Sequence, residues 1–219
     1  MTSRGEISAI ADPLGWRLIL GVLISHVPVA SLADAASTAQ VAVAAAGDAD
    51  GHLSVDLLAD RVVLRLHTAA VGTVTDHDLR LARAISGAVR TAPGHGDAVP
   101  QNVEIAIDAL DIPLIRPFWQ AVTGYVGDPG PPDLPDGALL DPLRRGPTIW
   151  FQQMDAPRHR DRNRIHLDVD VPPEHAQARI DAALAAGGVM RDAGAAPAFW
   201  VLADPEGNEA CVCTWQGRD

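Results

Sequence analysis

The sequence predicts an α+β protein in two domains, and three observations lead there. Between Thr91 and Pro100 the chain reads TAPGHGDAVP, with two Pro, two Gly and no hydrophobic period, which marks a linker. Ahead of it, short alternating runs come in pairs, with helical runs between and after them. Behind it, a strand–helix–strands succession occurs twice within about 120 residues, as an internal duplication would.

The elements follow in order. Pro13–Leu20 and Val22–Val29 read as a strand pair turning at Gly21. Ser31–Ala46 is an alanine-rich helix with Ser31 as N-cap and Gly47 as its stop. Leu53–Leu57 and Arg61–His67 form a second strand pair. Thr75 and Asp78 make a capping-box variant that opens a helix to about Val89, with Leu79, Ala82, Ile85 and Val89 along one face. Past the linker, Val103–Ile107 alternates like a strand, and Ile112–Val122 is helical with a kink expected at Pro117. Gly127–Gly137 (GDPGPPDLPDG) reads as a loop, and Thr148–Met154 as a strand. The second round is strand Arg164–Val171, helix Pro173–Ala186, and strands Phe199–Ala203 and Glu209–Trp215 joined by the turn Asp204–Asn208.

Composition excludes several function classes. A formal charge of −11 over 219 residues argues against a nucleic-acid backbone as partner, since phosphates need a basic face. The chain has 17 Arg and no Lys, so Schiff-base and phosphate-loop lysine chemistry are absent. Its two cysteines, Cys211 and Cys213, fall on one face of a strand and rule out a disulfide framework or a thiolate zinc cage. Met1–Glu6 lacks a signal-peptide pattern. Leu18–Ala36 is too broken by Gly21, His26, Pro28 and Asp34 to span a membrane, so the expected location is cytoplasmic.

Phe118-Trp119, Gly124-Tyr125, Trp150-Phe151-Gln152-Gln153, Asn163–Asp168 and the closing Asp204–Glu209 occur in an order that resembles the vicinal oxygen chelate superfamily. The similarity covers residues 99–219 and is to its glyoxalase-like branch (glyoxalase/bleomycin resistance/dioxygenase). It implies two βαβββ modules whose sheets curl around one small-molecule pocket. Residues 7–90 resemble pterin-4a-carbinolamine dehydratases through Gly15-Trp16-Arg17, the helix Ser31–Ala46, Gly51-His52, Arg61–Leu66 and Gly72–Ala82. That similarity implies helices on one face of a four-stranded antiparallel sheet. The domains are then 1–92 and 101–219, with 93–100 as linker. Self-association is common to both families, so the resemblance also implies a homodimer.

The chemistry implied by the first resemblance is altered here. The dehydratases use a paired His-His and a third His after the following strand. In this chain the pair reads Gly51-His52, followed by Leu53 where the family has Pro. The third position falls at Ala69, with His67 two residues earlier. A shift of two residues keeps the strand face but moves a side chain by about 6–7 Å, too far to replace a positioned acid or base. His52 and His67 are therefore the catalytic candidates of a constellation expected to be degraded.

In the second half, the superfamily's four metal-ligand positions fall near Gln101, Trp150, Arg164 and Cys211. Only the first is a ligand type of the family. Gln152, His166 and Glu209 lie beside the others on the same strand faces. A divalent ion needs several donors converging on one point, so no cofactor is expected and a divalent metal is the alternative. Without metal, Gln101, Trp150, Gln152, His166, Asp168 and Glu209 become the ligand-binding candidates, mixing an aromatic wall with polar anchors. Arg158, Arg160, Arg162 and Arg164 form the only basic cluster, read as a solvated run, with an anionic ligand or a partner's acidic surface as the alternative.

The expected function is metal-independent binding or transformation of a small organic molecule in the second domain, with a pterin as one candidate ligand. One alternative is an active 4a-hydroxytetrahydropterin dehydratase using His52 and a displaced His67. The other is a metal-dependent glyoxalase or dioxygenase centred on Gln101, Gln152, His166 and Glu209. If the protein is an enzyme, it is expected to be a lyase.

Overall fold

The computed structural model describes residues 3–89, 100, 102–128, 137–157, 165–214 and 216–217. The described residues up to Asn102 cluster as one compact unit and those from Val103 onward as another. Each has its own apolar core. The expected linker, apart from Pro100, and the run Arg158–Arg164 lie outside the described residues, as does Gln101.

The first unit begins with a helix that the strand pattern did not predict. Helix α1, Arg4–Ala11, starts at a reciprocal capping box between Ser3 and Glu6, a pairing visible as Ser-x-x-Glu in the sequence. Pro13 sits in a short 3-10 turn, Asp12–Leu14, that ends at Gly15 (φ 85°). This corrects the expected strand Pro13–Leu20: proline fixes φ and lacks an N–H, so pairing begins only at Arg17. Strand β1 (Arg17–Ile19) turns at Leu20-Gly21, both with positive φ (45° and 75°), into β2 (Val22–Pro28). Two such residues make the turn that matches strand twist.

Helix α2 (Leu32–Ala46) has Ser31 as its N-cap, accepting from the Asp34 N–H, and Gly47 at its end. Strands β3 (Leu53–Leu57) and β4 (Arg61–Leu66) follow, then helix α3 (Asp76–Val89). The four strands form one antiparallel sheet in the order β1-β2-β4-β3. Alternate residues of β2 and β4 (Leu23 and Val27; Val62, Leu64 and Leu66) join buried residues of all three helices in one core. Trp16 is fully buried there and donates its indole N–H to Ser86 Oγ at 2.8 Å.

The second unit repeats one topology. The first module is β5 (Glu104–Ala109), α4 (Ile112–Thr123), β6 (Val126–Gly127), β7 (Leu139–Leu140) and β8 (Thr148–Gln153). The second is β9 (Leu167–Asp170), α5 (Pro173–Ala185), β10 (Val189–Asp192), β11 (Phe199–Ala203) and β12 (Glu209–Cys213). In each, the first strand pairs in parallel with the fourth, and the third and second follow antiparallel. Both are therefore βαβββ units. The short strands β6, β7 and β10 escaped the pattern because two to four residues carry too little alternation.

Helix α4 continues through Pro117, is capped by Asp111, and stops at Gly124 in the left-handed region. Phe118, Trp119, Ile180, Leu139, Ile149, Leu202 and Val212 form the shared core between helices and sheets. Among the described residues, no helix is long and apolar enough to cross a membrane.

Candidate functional site

Strand alternation decides what β12 presents. Ala210 and Val212 point into the core with the helices, so Glu209, Cys211 and Cys213 share the opposite face. The parallel register sets Cys211 beside Asp168 and Cys213 beside Asp170. His166, just ahead of β9, falls on that face too. There the protein forms a cavity of about 530 Å³ whose described wall includes His166, Asp168, Ala198, Phe199, Cys211 and Cys213. His166 Nε2 lies 3.3 Å from Asp168 Oδ1, with both side chains about half exposed (48% and 56%). One donor atom each from His166, Asp168 and Cys211 lie within 4.8 Å of one another.

The cysteine is held in its neutral form. Burial, then a hydrogen bond from the thiol to the Asp168 carboxylate and that carboxylate's charge, push Cys211 up to about 12. Neither cysteine is in a disulfide, and both are buried.

Of the expected ligand-binding residues, His166 and Asp168 belong to this cavity. Trp150 and Gln152 sit on β8 opposite the core-facing Ile149 and Phe151, outside the cavity's wall. Glu209 shares the face of Cys211 but is not in the wall either. Cys211, near which the resemblance put the superfamily's fourth metal-ligand position, is the residue that joins His166 and Asp168.

In the first domain, His52 does more than occupy a loop. Its Nδ1 lies 2.8 Å from Oδ1 of Asp78, whose side chain is fully buried. Oδ2 of Asp78 accepts from the Thr68 and Thr75 hydroxyls (2.8 and 2.9 Å) and from the Thr75 N–H (2.7 Å). The capping residue expected at Asp78 thus also orients a histidine. His67 meets His52 through the backbone, its N–H donating to the His52 carbonyl at 3.1 Å. The ring beside His52 is that of His77, edge-on with centroids 4.5 Å apart. Sequence reasoning passed over His77. Its neighbour in the chain, Asp78, was the available signal.

The family model described as a glyoxalase-like domain matches residues 104–213. The chain belongs to the glyoxalase-like domain family. Similar solved structures include the fosfomycin resistance protein FosX of Listeria monocytogenes, at 12% identity over 55% of this chain and 98% of that one, with a TM-score of 0.41. A glyoxalase/bleomycin resistance protein/dioxygenase family enzyme from Burkholderia phytofirmans PsJN matches at 20% identity over 51% and 95%, with a TM-score of 0.37. A glyoxalase/dioxygenase from Nostoc punctiforme matches at 13% identity over 51% and 88%, with a TM-score of 0.39. No curated protein sequence matches the chain.

In the glyoxalase-like domain the turn Asp204–Asn208 is a structural tie. Buried Asp204 accepts from the Trp119 indole N–H (3.0 Å), the Glu206 and Asn208 N–H groups (2.9 and 2.8 Å) and the Asn208 amide (2.8 Å). Glu206 accepts from the Leu110 and Asp111 N–H groups ahead of α4 (2.9 and 2.7 Å). The second module's hairpin thereby grips the first module's helix. Phe118 and Trp119 pack edge-on at 5.4 Å inside the core.

The superfamily's metal raises the question of fit. An imidazole, a carboxylate and a thiol within 4.8 Å suit a zinc-like ion, whose bonds to such donors run about 2.0–2.3 Å. The set fits, with Cys211 giving up its proton on binding.

Proposed function

We propose that the glyoxalase-like domain binds a small organic molecule in the cavity beside His166 and Asp168, and handles it without a metal ion. One observation supports this reading above others. A cavity of about 530 Å³ joins two polar side chains to an apolar lining, within the roughly 300–1,000 Å³ of small-molecule sites. The first domain, with Gly51 and Ala69 at two of the dehydratase histidine positions, then serves as an assembly or ligand-binding module. If the cavity carries chemistry, the His166–Asp168 pair moves a proton, and a lyase reaction follows. Tag-free protein is expected to contain no stoichiometric metal by elemental analysis. It is expected to gain thermal stability from a member of a small-metabolite panel, about 2.7 kcal/mol at a hundredfold excess over Kd. Stoichiometric metal would overturn the metal-free reading.

A second reading is favoured by the convergence of three donors. His166, Asp168 and Cys211 would hold a divalent ion, in place of the set Gln101, Gln152, His166 and Glu209. The ion when bound would polarise a substrate oxygen. His166→Ala would then abolish metal retention.

The His52–Asp78 pair favours a third reading, in which the first domain is an active carbinolamine dehydratase. Asp78 accepts from Thr68 and Thr75 through Oδ2, so in this reading Oδ1 takes the proton of His52 Nδ1 and Nε2 is left as base. Turnover of a 4a-carbinolamine pterin, lost in His52→Gln, would establish it.

A further inference from the structure

We infer that the cavity of the glyoxalase-like domain selects a small organic cation, with an ammonium head held by Asp168 and His166 and an apolar body against Ala198, Phe199 and Cys213. The inference rests on the small-molecule reading of this cavity and adds the charge of its occupant.

Among the described residues, the wall holds one carboxylate, Asp168, and no arginine. The register of β9 on β12 commits Asp168 to this face. The Asp168 carboxylate lies within 4.8 Å of the Cys211 sulfur and of a His166 ring nitrogen. It keeps 56% of its side-chain surface open, so acceptor capacity remains for a ligand.

An anionic head brought to this wall meets a like charge. A neutral head gains an ordinary hydrogen bond there, and an ammonium gains a charge-assisted one. The His166 imidazole, 3.3 Å from the same carboxylate, stands beside the head as the wall's second polar side chain. Phe199 and the alanine and cysteine side chains then take the hydrocarbon. A chain of net charge −11 supplies a long-range field of the same preference.

The test compares three probes that share a phenyl ring and differ in head charge: benzylamine, benzyl alcohol and benzoate. Binding to the full chain is measured by calorimetry at pH 8 with EDTA present, so that no metal ion bridges. Benzylamine is expected to bind at least tenfold more tightly than benzoate, and Asp168→Asn to remove that preference. Glu174→Gln removes the same unit of charge from exposed α5 and is expected to keep it. Unchanged melting temperatures show that the variants remain folded. Benzoate binding as tightly as benzylamine would overturn the cation preference and leave the small-molecule reading standing. An amine preference that survives Asp168→Asn would overturn the assignment to Asp168. Binding of none of the three would overturn the small-molecule reading itself.

Discussion

Cys211 shows how one residue's environment is set by a strand it does not belong to. An isolated thiol titrates near 9.0; here burial and Asp168 push it up to about 12. The folded state therefore holds this proton more tightly than the unfolded chain does. Its contribution to stability is fully present below pH 9 and declines as pH rises from 9 toward 12. The thiolate is also the nucleophile, so native protein at pH 8 is expected to resist iodoacetamide at Cys211, with rapid alkylation on denaturation. Mass spectrometry of the two time courses checks this, and fast native alkylation would contradict it. Asp78 belongs at the same scale. The sequence shows an acidic residue three positions after Thr75, which means a cap. That the same carboxylate also holds His52 requires Thr68, Thr75 and His52 to be brought together from three chain segments.

At the scale of elements, the informative contact is where α5 hands the chain to β10. A Cβ at Gly188 would lie 2.4 Å from Cδ2 of Phe118 and 2.8 Å from the Ala183 carbonyl. Phe118 is fully buried on α4 and has no room to retreat. Gly188→Ala is accordingly expected to cost about 1–3 kcal/mol through overpacking, seen as a lower urea midpoint at unchanged slope. A wild-type midpoint would mean that the two helices can slide apart freely. Longer elements were legible in advance. The Ser31 cap and Gly47 stop of α2 come from local rules that act within one turn. Helix α1 is equally legible from Ser3 and Glu6, spaced as a capping box. Strands β6, β7 and β10 were not legible, since pairing rather than pattern makes them strands.

For the whole molecule, the two cores share no residue. Each unit is expected to unfold as its own cooperative step, giving two transitions in calorimetry. Raising the pH from 9 toward 11 should lower only the transition of the unit that contains Cys211, which also assigns the two peaks. A single transition that moves as one would mean that the units fold together.

Much of this protein follows from sequence alone: an α+β class, a break near residue 100, a duplicated second half, and the exclusion of lysine and disulfide chemistry. These rest on composition, period and caps, which act over a few residues and need no partner. Only the tertiary structure decided which side chains meet. Cys211, Asp168 and His166 come together because β12 pairs in parallel with β9, at a register no local pattern encodes. Trp150 and Gln152 show the converse, with the right strand face but no place in that cavity's wall. A period of two assigns a face; the sheet's pairing chooses its neighbours.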